Sequence, residues 1–250
     1  MAQVSLVPQV TAKFSGFSPD ALAFLRSLKR NNRREWFEER RDIFESAVKA
    51  PMLSLIERLT GGMSDYAPAH MRPAAKILFR IYRDTRFSAD KSPYKNHLGA
   101  WWARVGMEKT SGAGYYIHIS ATELVVAAGA YMPEKEQTLA IRRHLLANHE
   151  QWKKLIEDRR LLRAFDVHDP AALTRPPKGF PPDHPAIEWI KWRQWGMTKH
   201  LPAENAMRPD LAEMIEQRFR LITPLVDFLN TPLLPPERRR RVLVSALPRK

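Results

Sequence analysis

The apolar positions change their spacing twice along the chain, which divides it into helical ends and an extended middle. Leu22, Leu25 and Leu28 recur at helical spacing after Ser18-Pro19-Asp20. Ser18 suits an N-cap there, and Pro19 suits the first helical position because its missing N–H costs nothing. A second helix is predicted after Asn31-Asn32, with Asn32 and Glu35 spaced as a capping box and Phe37, Phe44 and Val48 along one stripe. Pro51 ends or kinks it, and Leu55, Ile56 and Leu59 lead to a stop at Gly61-Gly62.

The period then falls to two. Ile77, Phe79 and Ile81 alternate with Leu78, Arg80 and Tyr82, which is strand spacing. Three more extended runs follow at Leu98–Val105, Ala113–Ser120 and Leu124–Tyr131, joined by hairpin-like segments around Lys109–Gly112 and Ser120–Thr122. Nothing of helical period separates them, so sequential antiparallel pairing is expected. Helical spacing returns after Pro133-Glu134 with Leu139, Leu145, Leu146, Trp152 and Leu155. Beyond a proline-rich strap at Asp169–Pro185, an apolar helix is predicted over His184–Trp195 and a last one over Asp210–Leu229, with Pro224 as a kink point. The pattern predicts an α+β fold: an antiparallel sheet of about four or more strands flanked by N-terminal and C-terminal helices. A single domain is expected over 14–231, after a flexible N-terminus over 1–13 and before a basic, poorly ordered Pro/Arg-rich tail over 232–250.

Composition narrows the function classes. A hydrophobic fraction of 44% in 250 residues supports a packed core. The absence of cysteine removes disulfides, thiol nucleophiles and cysteine metal sites together. No apolar run reaches membrane-spanning length, and Met1–Phe14 does not read as a secretory signal, so a cytoplasmic protein is expected. The net charge of +14 attracts anionic partners of every kind without choosing among them. Pro235–Lys250 supplies +5 of it, from six bases and one acid.

A second +5 lies in Arg72–His97, which holds seven bases and the acids Asp84 and Asp90. In an extended register Arg80, Tyr82, Asp84 and Arg86 share one face, opposite Ile77, Phe79 and Ile81. A loop over Asp90–His97, fixed by Pro93, then swings Lys91, Lys95 and His97 back toward that face, which also receives Tyr116 and His118 from a neighbouring strand. Arginine presents a donor fork matched to phosphate or carboxylate, and lysine adds a point charge. The expected ligand site is therefore Arg80, Tyr82, Arg83, Asp84, Arg86, Lys91, Tyr94, Lys95 and His118, taking an anionic, phosphorylated ligand. The plain alternative is a salt-bridged, solvated face. His118 is an acid–base group by type, although a hydrogen-bonded histidine inside a sheet is the commoner case. No metal-ligand spacing, phosphate loop or dinucleotide fingerprint occurs, so neither cofactor nor metal is predicted, and whether the protein is an enzyme stays open. Two further readings compete: nucleic-acid binding through the same face and the basic tail, and protein interaction through the proline strap and Trp189, Trp192 and Trp195.

Several separated motifs resemble one family. The stretch Phe79–Lys95 (FRIYRDTRFSADKSPYK) is similar to the signature of the domain of unknown function 2461. Gly114–Ile119, Gly129–Pro133, Pro177–Phe180, Asp183–Pro185 and Trp189–Lys191 resemble its later blocks in order. The resemblance covers roughly Phe14–Thr231 and implies a fold without an established activity.

Overall fold

The computed structural model describes residues 14–107, 111–167 and 172–235. The expected flexible N-terminus, most of the basic tail, Lys109-Thr110 and the start of the proline strap lie outside the described residues.

The N-terminal third is helical. Helix α1 spans Pro19–Arg30 and starts with Pro19 in its first turn, although Ser18 makes no side-chain capping bond. The predicted second helix is broken into α2 (Arg34–Glu38), α3 (Arg41–Ile43), a π-helical stretch (Phe44–Lys49) and α4 (Ala50–Gly62). Pro51 explains the π-helical stretch: its ring cannot sit over the carbonyl four residues back, so the preceding turn widens. Asn32 caps nothing, because its side chain is spent on residues 94 and 96.

The short helix α5 (Ala74–Ile77) occupies the start of the predicted first strand. Leu78, bridged to Ala100, and Phe79, whose N–H donates to the Gly99 carbonyl at 2.9 Å, pair with the sheet edge. The chain then leaves as an irregular hairpin. Tyr82 bridges Tyr94, and Arg83 N–H donates to the Pro93 carbonyl at 2.9 Å. The meander follows as expected, with β1 (His97–Trp102), β2 (Gly114–Ser120) and β3 (Glu123–Ala130) paired antiparallel in sequence.

After β3 come α6 (Lys135–Ala147), opened by a capping box between Glu134 and Gln137, then α7 (His149–Ile156) and α8 (Arg159–Ala164). The two-residue β4 (Asp166–Val167) lies on the sheet edge. The apolar helix predicted over 184–195 shrinks to α9 (Ile187–Ile190), and Trp195 instead begins β5 (Trp195–Pro202), which pairs antiparallel with β3. Threefold tryptophan spacing imitates a helix stripe, but Trp195 packs in the core as a strand residue, and its indole N–H donates to the Trp189 carbonyl at 2.9 Å. Helix α10 spans Leu211–Asn230 and carries Pro224 inside it. The sheet order is β1-β2-β3-β5-β4.

Helices cover one face of this sheet. Tyr115, Ile117 and Ile119 of β2 and Leu124, Val126 and Ala128 of β3 are buried on it. Tyr115 packs on Phe219 of α10 and exchanges a 2.9 Å hydrogen bond with Thr223. Asn230, at the end of α10, is buried and clamps Ala113 through both its amide atoms, at 2.9 and 3.0 Å. That pairing satisfies backbone groups that would otherwise be costly to bury.

Candidate functional site

The opposite sheet face is not covered by helices along its whole width. Strand pairing places Gly99 beside His118, Trp101 beside Tyr116, Val125 beside His200, Ala127 beside Thr198 and Gly129 beside Gly196. The middle of this face is thus small side chains and the border is large ones. A cavity of about 460 Å³ results, bordered by Phe79, Trp101, Tyr116, Tyr131 and Met132, with His97, His118 and His200 also lining it. That volume suits a small organic ligand.

Glycine builds the floor. Gly129 adopts φ +139°, and a β-carbon there would come within 2.2 Å of the Trp195 carbonyl oxygen. A β-carbon on Gly99 would press on the Tyr116 hydroxyl at 3.0 Å. Strands β3 and β5 therefore approach more closely than side chains allow, and Tyr116 has room to reach across β1.

The polar groups gather around His118. Its Nδ1 lies 3.1 Å from the Tyr116 hydroxyl and its Nε2 lies 3.4 Å from Glu123 Oε1. Glu123 Oε2 also accepts from His200 Nδ1 at 2.7 Å. The His97 ring lies 4.7 Å from that of His118. Burial, helped by the neighbouring His118 and Lys95, pushes His97 down to about 4. Burial also lowers His118, against the opposing pull of Glu123, while the bond from His200 lowers the Glu123 carboxyl. The neutral imidazoles are favoured at physiological pH, so the face holds proton acceptors instead of fixed cations. Among the described residues no three His, Asp or Glu side chains are grouped to hold a metal ion.

The residues expected at one site separate into four places. His118 lies in the cavity. Lys95 stands at its edge, over the Phe79 ring at 5.2 Å and donating to the Arg80 carbonyl at 2.9 Å. Arg80 itself is exposed, and its charge adds to burial in lowering Lys95. Tyr82, Arg83, Lys91 and Tyr94 line a separate groove farther out on the hairpin. Asp84 and Arg86 engage each other at the hairpin tip, in a two-pronged bond of 3.0 and 2.7 Å that holds the Asp84 carboxyl at about 2. Tyr94 is core, 1% exposed and stacked on Phe37 at 4.1 Å. The shared parity of Arg80, Tyr82, Asp84 and Arg86 does not bring them to the His118 face, because their segment leaves the sheet after Phe79. Sequence reasoning missed His200 and Glu123 as neighbours of His118. Glu123 was legible as the residue closing the tight β2–β3 turn, but His200 needed β5 to be recognised as a strand.

These features define an α+β protein whose helices shield one face of a single antiparallel sheet while the other face shapes a cavity. The chain belongs to the DUF2461 family of conserved hypothetical proteins, whose model matches residues 20–228. No curated protein matches the chain. Among the described residues no helix is long and apolar enough to cross a membrane.

Proposed function

We propose that the protein binds a small ligand with a flat apolar body and an anionic head in the cavity on the open sheet face. The observation that carries this reading is the juxtaposition on one face of an aromatic border, a glycine and alanine floor, and the linked His97, His118, Glu123 and His200. The body lies against Trp101, Tyr116 and Phe79. The head lies toward His97 and Lys95, away from Glu123, whose charge would repel it. An anion there favours protonated imidazole, so binding takes up protons from solution.

The probe is 1-anilinonaphthalene-8-sulfonate, a flat aromatic carrying one fixed negative charge. It is expected to bind one-to-one, with proton uptake seen as a dependence of calorimetric heat on buffer ionisation enthalpy. Ala127→Phe, which fills the cavity from β3, is expected to abolish the saturable binding while the melting temperature stays within a few degrees. Equal binding to wild type and Ala127→Phe would remove the cavity as the site, and binding without proton uptake would remove the anionic head from the histidines.

A further inference from the structure

Farther out on the hairpin, a polar groove of about 580 Å³ separates its arms from the start of α2. Arg33 and Arg34 form one wall, and Arg83 and Lys91 the other. Asn32 holds the walls together. Its side-chain amide accepts from Tyr94 N–H at 3.0 Å and donates to the Tyr94 carbonyl at 2.9 Å, as an adjacent strand would, with a further bond to Asn96 at 3.0 Å. Phe37 of α2 stacks on Tyr94 beneath the groove. The gap between the walls is therefore preset, which removes ordering cost from whatever enters it.

The charges in the groove are unbalanced. Its lining holds four cations against two carboxylates, Glu35 and Glu38. Glu38 is already gripped by Arg41, and Arg83 by Asp90 and Ser92. Arg33 and Arg34 have no side-chain partner among the described residues, and Lys91 Nζ meets a single backbone carbonyl, that of Thr85, at 3.0 Å. The cations are thus held opposite one another with a surplus of two positive charges. Tyr82 stands at the edge, 42% exposed, its hydroxyl pinned by Arg41 at 3.2 Å so that the ring offers a fixed wall.

We infer that this groove is a second binding site and takes a phosphate monoester, with Arg33, Arg34 and Lys91 on the phosphate and Tyr82 beside its organic part. A phosphate monoester carries close to two negative charges at neutral pH, matching the surplus, and offers three acceptor oxygens to the guanidinium forks and the ammonium group. The site does not depend on the sheet-face cavity.

Phenyl phosphate, titrated calorimetrically at pH 7.5 and low ionic strength, tests it against phenyl sulfate, a ligand of the same shape with one charge. Phenyl phosphate is expected to bind one-to-one and about tenfold more tightly than phenyl sulfate. Arg34→Gln and Lys91→Gln are each expected to weaken it about fivefold to tenfold. Glu35→Gln is expected to strengthen it about threefold, a gain that misfolding cannot imitate. Ala127→Phe, remote from the groove, leaves it unchanged. Equal affinity for the two ligands, or the lack of a response to both Arg34→Gln and Glu35→Gln, would overturn the inference.

Discussion

The base and the outer part of one chain segment, residues 78–97, border two concave surfaces that treat charge in opposite ways. At the base, Phe79 and His97 adjoin the cavity, where burial drives imidazoles to their neutral forms. Farther out, Arg83 and Lys91 adjoin the groove, across from Arg33 and Arg34. Basic residues in sequence are thus not one class of site. Depth decides whether a basic side chain acts as a proton acceptor or as a fixed charge.

The largest way to break this comparison is to damage the cavity floor. Gly129→Ala must push a β-carbon against the Trp195 backbone from a strained φ, at a cost of about 3–4 kcal/mol in urea unfolding. It is expected to abolish cavity binding and to leave phenyl phosphate binding in the fraction that remains folded. Wild-type stability would mean that β3 and β5 have slack at this point.

Acid comes next. His97 and the buried His70, whose Nδ1–H donates to the Trp102 carbonyl at 3.0 Å, are both pushed down to about 4 by burial. Each binds a proton more readily in the unfolded chain. Their contribution is therefore complete above about pH 6.5 and is lost as pH falls toward 4, by roughly 3 kcal/mol per histidine. His97→Gln is expected to flatten half of that slope in denaturant titrations across this range, whereas Arg34→Gln leaves it intact. An unchanged slope in His97→Gln would show that His97 titrates normally.

Asn32→Ala removes three hydrogen bonds between the two groove walls and is expected to cost about 2 kcal/mol. It should weaken phenyl phosphate binding while cavity binding persists. Loss of both would show that the hairpin moves as one body with the sheet edge.

A smaller effect sharpens the contrast in sign. Between pH 7.5 and 5.5 the sulfonate probe is expected to bind a few-fold more tightly, because the bound anion raises the lowered cavity histidines and the complex then holds protons that the free cavity does not. Phenyl phosphate is expected to bind a few-fold more weakly, because it loses a negative charge near pH 6. Parallel responses would merge the two sites into one. The smallest effect is at Arg86→Gln. Its guanidinium is committed to Asp84 and lines neither surface, so both affinities and the melting temperature stay at wild-type values.

Local signals were legible wherever neighbouring residues settle the structure. Pro19 and the leucines of α1, the alternation of β2 and β3, and the opening of α6 after Pro133-Glu134 all act within a few residues. The failures arose where distant groups outweighed local preference. Asn32 has the spacing of a capping box but gains more from Tyr94 and Asn96, 62 and 64 residues away. Ile77–Tyr82 has strand alternation but only two residues of sheet edge to pair with. Trp189, Trp192 and Trp195 have helix spacing, yet the open edge of β3 draws Trp195 into β5.

The same division holds for function. The amino-acid order alone determined the fold class, the antiparallel meander, the family, and the unusual density of basic residues in Arg72–His97. These are set by side-chain period, composition and motif. Only the tertiary structure decided which basic residues share a surface. It placed His118 with Glu123 and His200, set Arg33 and Arg34 opposite Lys91, and closed Arg86 on Asp84. The physical reason is that charge acts through space and through burial. Side-chain pairings of this kind, near or far in sequence, leave no period in the chain, and the dielectric surroundings that neutralise a base exist only after the sheet and its hairpin have formed.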